Sequence, residues 1–263
     1  MDKQARPIGV FDSGLGGLTV VKEIKKLLPN VDLIYLGDTA RVPYGTRSKE
    51  TIRKFAKEDT RFLISKKVSC IVVACNTVSS LALDVVIKNS NVPVFGVIEP
   101  AIKKALEITK SKKIGIVGTR ATVNSDAYKV ATLRGHGSML VPLVEEGFIE
   151  GAEINLFIDK YFKEFKGKVD TLILGCTHYP LIKSRINKYL GKNIKLVDPA
   201  EEVSKVIYEY IMRTDSFAGK KGIEKNKNAE SKYFLTDVNE RFLQTAKLFL
   251  GKDISKHIKK IEL

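Results

Sequence analysis

Residues 8–45 read IGVFDSGLGGLTVVKEIKKLLPNVDLIYLGDTARVPYG, and this stretch decides the fold class. A short run that is apolar on both faces, Ile8 to Phe11, breaks at Asp12 into a glycine-rich turn. An amphipathic stretch follows from Leu18 to Leu28 and stops at Pro29, and a second apolar run, Leu33 to Leu36, ends in the polar loop DTARVPYG from Asp38. Runs without polar alternation predict strands buried on both faces, and the segment between them has helical spacing. The same alternation recurs outward along the chain. Cys70 to Ala74, Val94 to Ile98, Ile114 to Val117, Thr171 to Leu174 and Ile194 to Val197 read as further buried strands, and Ser48 caps a helix reaching Ser65. Strand alternating with helix is the order of an open α/β sheet, whose ligands sit beyond the carboxyl ends of the strands.

Comparing those strand ends reveals a weak internal repeat. IVVACNT, ending at Thr77, resembles LILGCTH, ending at His178, and IGVFDSG from Ile8 resembles IGIVGTR from Ile114. Asp12 precedes Cys75 by 63 positions, and Thr119 precedes Cys176 by 57, so each half places a polar residue after one strand and a cysteine after a later one. The expected fold is therefore two similar open parallel-sheet α/β domains facing each other across a central cleft. A boundary is expected near Glu99 and Pro100. Tyr233 to Val238 reads as one more strand, returning the end of the chain to the first unit. This gives 1–98 plus 205–263 as the first domain and 99–204 as the second.

At 263 residues, each unit can bury a core without disulfide or metal staples. With 44% hydrophobic residues the chain is too apolar for disorder, and its 19 Gly and 8 Pro are too few for a fibrous protein. Three cysteines, Cys70, Cys75 and Cys176, form neither a disulfide framework nor a zinc-ligand spacing, so reduced thiols and a cytoplasmic location are expected. The N-terminus lacks the apolar run of a signal peptide, and no stretch approaches membrane-spanning length. The net charge of +15 admits an anionic partner. Its lysines are scattered, as at Lys22, Lys25 and Lys26, or on alternating-sign helices where Lys49, Arg53, Lys54 and Lys57 accompany Glu50, Glu58 and Asp59. The densest run, Lys220 to Lys232, reads as a solvated loop, so nucleic-acid binding is not favoured.

The cysteines differ in context. Cys70 opens a strand and reads as a structural thiol, whereas Cys75 and Cys176 close strands beside Asn76 and Thr77, and beside Thr177 and His178. Both stand where a strand passes into a helix, a setting that draws a thiol towards thiolate. One such cysteine suggests a nucleophile. Two across a cleft suggest an acid/base pair, one removing a proton and the other delivering one. Asp12 is a plausible proton-handling partner in the first unit, and His178 in the second. DSGLGGL fits neither a dinucleotide fingerprint nor a P-loop. A cysteine hydrolase built on Cys176 and His178 stays open at this level, as does a basic non-catalytic nucleic-acid-binding protein.

FDSGLGGL, GDTARVPYG, VVACNT, PLVEEG and LGCTHYPL, in order from Phe11 to Leu181, resemble the motifs of the cofactor-independent glutamate racemases. The resemblance implies interconversion of L- and D-glutamate, supplying D-glutamate for peptidoglycan, without pyridoxal phosphate, metal or nucleotide. It implies that Cys75 and Cys176 are the two proton donor/acceptors, that Asp12 and His178 are their partners, and that Glu145 steadies His178, with Glu146 ranking behind it. Implied substrate contacts are Asp12, Ser13, Tyr44, Gly45, Asn76, Thr77, Thr177 and His178, with Thr119 a looser one. A homodimer without membrane attachment is expected. The sister aspartate racemases usually carry Glu after the second Cys-Thr, so His178 favours glutamate over aspartate. The charge of +15 lies outside this pattern.

Overall fold

A computed structural model of the chain describes residues 6–214 and 229–263. Its strands are β1 (Ile8–Asp12), β2 (Leu33–Gly37), β3 (Cys70–Val73), β4 (Val94–Gly96), β5 (Ile114–Gly118), β6 (Leu133–His136), β7 (Thr171–Gly175), β8 (Lys195–Val197), β9 (Ser231–Leu235) and β10 (Ile258–Lys260). They form two wholly parallel sheets, in the orders β10-β9-β2-β1-β3-β4 and β6-β5-β7-β8. In both, the first strand of the unit lies inside, the chain moves to one neighbour, and it then crosses back to the other side. The order β2-β1-β3-β4 is thus repeated as β6-β5-β7-β8. Each sheet has a topological switch, between β1 and β3 and between β5 and β7, where a crevice opens at the carboxyl ends. Pairing of Phe11 with Val73 brings the end of β1 beside that of β3, and pairing of Gly118 with Gly175 does the same for β5 and β7.

The helices are α1 (Leu18–Leu27), α2 (Lys49–Ser65), α3 (Asn76–Leu81), α4 (Leu83–Asn89), α5 (Ile98–Ile108), α6 (Arg120–Asn124), α7 (Leu140–Glu145), α8 (Ala152–Phe162), α9 (Lys183–Leu190), α10 (Pro199–Arg213) and α11 (Glu240–Leu250). Local chemistry sets their ends. Ser48 accepts a hydrogen bond from the Thr51 amide and starts α2, while Lys25 and Lys26 meet the negative end of α1. α10 packs against α1 and α5, and α5 reaches β7 and β8. One continuous apolar core therefore runs from Val10 and Val72, through Val21, Ala101 and Ile207, to Ile116 and Leu172. A second, smaller core lies on the other face of the first sheet, where Phe11, Leu36 and Val73 meet Ile52, Ala56 and Leu63 of α2.

We propose the division 1–98 plus 205–263 and 99–204 for the two units, because the strands partition accordingly. Both junctions fall inside helices, α5 and α10, which explains why the units share a core.

Several expected boundaries move. Ile98 opens α5 instead of closing β4, and β9 begins at Ser231, two residues before the expected strand. Ser231 and Lys232, read as the end of a solvated loop, are strand, because they pair with Leu33 and Ile34 of β2. Positions 220–228 of that lysine-rich run lie outside the described residues. Two strands were not anticipated, β6 and β10. Both are edge strands carrying charged or polar side chains, so neither shows the two-faced apolar run that betrays an interior strand. Among the described residues, no helix is long and apolar enough to cross a membrane.

Candidate active site

Cys75 follows β3 one residue on, after Ala74, and stands at the N-cap of α3, 5% exposed, with Ser13 Oγ 3.7 Å from its sulfur. Burial pushes the thiol up to about 12, and the neighbouring Asp12 charge adds to this, against smaller opposition from the Val78 amide and the Ser13 hydroxyl. The expectation that the strand-to-helix position draws this thiol towards thiolate is therefore corrected, since desolvation outweighs it. Asp12, the last residue of β1, is fully buried. Its Oδ2 accepts from the Gly14 amide at 3.2 Å, while Oδ1 has no hydrogen-bond partner. Burial raises its carboxyl above the ordinary range, partly offset by His178.

Cys176 stands at the equivalent place after β7, 6% exposed, but a short 3₁₀ turn from Tyr179 to Ile182 follows it in place of an α-helix. Its sulfur lies 3.7 Å from His178 Nδ1, and His178 Nε2 lies 2.8 Å from Glu145 Oε1. Burial pulls the imidazolium down, but the hydrogen bonds with Cys176 and Glu145 prevail and bring it up to about 10. At neutral pH His178 is thus a cation that donates Nε2–H to Glu145 and presents Nδ1–H to the sulfur. α11 braces this pair from the first unit. The Phe249 ring meets His178 edge-on at 5.4 Å, and Thr245 Oγ1 donates to the Glu145 carbonyl at 2.9 Å.

The two units touch through the glycine-rich turn after β1. A Cβ at Gly16 would fall 2.1 Å from Thr177 Oγ1 and 2.7 Å from the His178 ring, so only glycine fits there. Thr19 Oγ1 shares its hydrogen between the Gly16 carbonyl at 2.8 Å and the Thr177 carbonyl at 3.1 Å, tying the first turn of α1 to the Cys176 loop. Matching neither a dinucleotide fingerprint nor a P-loop in the sequence, this turn is what lets the halves close on each other. On the other side, Thr77, Thr119 and Thr122 join their hydroxyls across the units at 3.0 to 3.4 Å, and Asn76 Oδ1 accepts from Tyr128 OH at 2.7 Å.

Between the facing strand ends lies a cavity of about 240 Å³ whose wall includes both cysteines, with Ser13, Asn76, Thr77 and Thr177. Tyr44, Gly45, Thr119 and His178 also line it. Every residue expected to contact a substrate is thus gathered here except Asp12, which lies behind the wall. Glu145 also stands back, against an adjoining cavity of about 250 Å³ with a mixed polar and apolar lining. Pro43, expected with Tyr44 and Gly45 to form a turn closing over a small substrate, lines the cysteine-walled cavity too; sequence reading missed Val42, Thr46, Gly175, Ser138, Met139, Val141 and Pro142, which complete the lining. The last four immediately precede Glu145, and that proximity is the signal that could have found them. Cys70 lies buried at the start of β3, away from this cavity.

A family model described as Asp/Glu/Hydantoin racemase matches residues 8–205. The glutamate racemase of Aquifex pyrophilus is 47% identical over 253 residues, covering 94% of each chain. Among solved structures, a glutamate racemase from Francisella tularensis subsp. tularensis in complex with D-glutamate superposes with a TM-score of 0.88 at 38% identity, covering 98% of both chains. One from Thermus thermophilus in complex with beta-chloro-D-alanine gives 0.86 at 37% identity, covering 100% of this chain and 99% of that one. With its two-sheet repeat and its cysteine-lined cavity, the chain belongs to the Asp/Glu/hydantoin racemase family, among the glutamate racemases.

Proposed function

We propose that this protein interconverts L- and D-glutamate by proton transfer at the α-carbon, with Cys75 and Cys176 acting from opposite sides. The observation that carries this reading is that two cysteines at equivalent switch points of two sheets line one cavity. Inversion needs a base on one face of the substrate and an acid on the other, and a duplicated fold supplies both. Glutamate is preferred to aspartate as substrate because the Aquifex pyrophilus relative, 47% identical, is named a glutamate racemase and because a solved relative of 38% identity is in complex with D-glutamate.

In the reaction the thiolate of Cys176 takes the α-proton, and the thiol of Cys75 delivers its proton to the opposite face. This leaves a thiol on one side and a thiolate on the other. The opposite enantiomer runs the same transfers in reverse. Resetting the pair moves one proton off one sulfur and one onto the other. The His178 imidazolium, 3.7 Å from Cys176, steadies the thiolate on one side, Asp12 stands behind Cys75 on the other, and the two protons exchange with solvent once the product has left. Glu145 keeps His178 charged and oriented. Donors on Ser13, Asn76, Thr77 and Thr177 surround the carboxylate, onto which charge spreads as the α-carbon becomes carbanionic. A substrate that fills this cavity displaces water from around its α-carbon.

We extend the reading to a cytoplasmic homodimer that supplies D-glutamate for peptidoglycan. The test is proton NMR of L-glutamate in heavy water with purified protein and no added cofactor, with optical rotation followed in parallel. Loss of the α-proton signal together with loss of rotation is the expected result. Exchange of aspartate but not glutamate would overturn the substrate, and exchange of neither would overturn the activity.

A further inference from the structure

Asp59 is a buried acid that the reaction does not use. It sits on α2 at helical spacing with Ile52, Ala56 and Leu63, the apolar stripe of that helix, and is 0% exposed. Its neighbours form a compact cluster. Asp38, at the end of β2, accepts on Oδ2 from both Arg41 Nε and the Tyr44 hydroxyl, and on Oδ1 from Thr236 Oγ1 at 2.9 Å. Arg41 also donates through Nη1 to Glu58 and stacks 4.0 Å above the Phe55 ring. Asp59 Oδ2 lies 3.2 Å from the Tyr44 oxygen. Its Oδ1 has no hydrogen bond and faces Arg41 Nη2 at 3.6 Å, and that nitrogen is likewise without one.

The proton count in this cluster is restrictive. A phenol has one hydrogen, and Tyr44 spends it on Asp38, its closer carboxylate. The contact with Asp59 is then a hydrogen bond only when Asp59 is the donor, since two acceptors would otherwise face each other. Charge leads to the same end. Arg41 is one cation already engaged by Asp38 and the half-buried Glu58, so an ionised Asp59 would be a third anion around it and a second one fully buried. Burial, with the Asp38 charge added, drives the Asp59 carboxyl well above its ordinary range, and Arg41 opposes this only in part.

We propose that Asp59 carries a proton in the folded protein and is a positioning residue, donating Oδ2–H to Tyr44 so that the turn Tyr44–Thr46 is held as one wall of the cysteine-lined cavity. The ring of Tyr44 is 1% exposed, so the phenol is the anchor and the turn around it meets the ligand. Thr236, which also accepts from the Ala40 amide at 2.8 Å, ties the same loop to the end of β9. The wall is thereby fastened at both sides, and Asp59 is the fastening that the apolar face of α2 supplies.

The consequence for substrate rests on the racemase reading, whereas the protonation does not. Three variants separate them. Asp59→Asn keeps a donor in place of the acid, and its KM for glutamate is expected to stay within about twofold. Asp59→Ala and Tyr44→Phe break the link and are expected to raise KM about tenfold or more while kcat changes less, as for a buried partner left unsatisfied. Infrared difference spectra of the wild type minus Asp59→Asn at neutral pH should show a carboxylic-acid carbonyl band. Absence of that band, or an Asp59→Asn variant as impaired as Asp59→Ala, overturns the protonated state. An unchanged KM in Asp59→Ala overturns the positioning role; should that variant not fold, Asp59→Leu, which fills the same space on the apolar stripe without a donor, decides the same point. If the wild type itself fails to racemise glutamate, the proposed activity falls while the infrared result still decides the proton on Asp59.

Discussion

Replacing Glu145 by Gln would remove the carboxylate that sits 2.8 Å from His178 Nε2 while keeping a hydrogen-bond acceptor of the same shape. A hydrogen bond to a buried charged group contributes roughly 1.5–3 kcal/mol, and each pKa unit corresponds to about 1.4 kcal/mol, so His178 should drop by about one to two units. It starts at about 10 and its ordinary value is 6.5, so the variant imidazole is expected near about 8 to 9, the hydrogen bond with Cys176 retaining the rest. The sign for stability follows. A histidine raised on folding contributes in full below 6.5, and its contribution is lost as pH rises through about 10. The wild type should therefore lose stability over that window, and the variant should lose less. The alkaline limb of the rate profile should move down with the imidazole. The chain has only 3 His, so the imidazole proton signals can be assigned with His136 and His257 variants and titrated by NMR. A wild-type His178 that titrates near its ordinary value, or one that Glu145→Gln leaves in place, would refute the role given to this pair.

Further changes probe the cavity from other sides. Cys75→Ser and Cys176→Ser should each abolish racemisation, yet each should still eliminate a leaving group from one enantiomer of a suitably substituted glutamate, because elimination needs a single base. Near-normal racemisation by either would sink the two-thiol assignment. Gly16→Ala places a methyl 2.1 Å from Thr177 Oγ1, and the forced displacement should cost about 1–3 kcal/mol in denaturant unfolding together with about a hundredfold in kcat/KM. Gly147→Ala is the control: its φ is +83 with no atom within 4 Å, so about 1–2 kcal/mol should be lost with activity unchanged. Thr19→Val deletes the hydrogen bond to the Thr177 carbonyl, and urea unfolding should register about 1 kcal/mol.

What was legible in the sequence follows from how strongly each feature marks its neighbours. Interior strands such as β1 and β7 show themselves because both faces are buried, and the cysteines after β3 and β7 show themselves because they follow such strands. Edge strands β6 and β10 have no such mark. The threonine contacts between units were hidden for another reason. Thr77 finds Thr122 only after two sheets have been placed against one another, and nothing local to either residue foretells it. Asp59 was legible and misread. Counted with Lys57 and Glu58 it looks like part of a solvated, alternating-sign face, whereas spaced with Ile52, Ala56 and Leu63 it falls on the buried stripe. The period, not the composition, held the information. The need for glycine at position 16 was equally hidden, since it comes from Thr177 and His178, more than 150 residues away.

The repeat explains why two cysteines meet, but it does not make them alike. Cys75 has Ser13 and a buried carboxylate beside it, while Cys176 has an imidazolium held by Glu145. Two chemically different half-sites must nonetheless serve a substrate and product of equal free energy, because enantiomers are equally stable in water. At equilibrium the two values of kcat/KM must then be equal, whatever each half-site does to the separate constants. A change confined to one side, such as Glu145→Gln, is therefore expected to lower kcat/KM for L- and D-glutamate by the same factor, while kcat and KM shift unequally between the directions. Circular dichroism initial rates from each enantiomer measure this. A ratio of kcat/KM that departs from equality would mean that the species formed is not the mirror image of the one supplied, and the two-base scheme would fail with it.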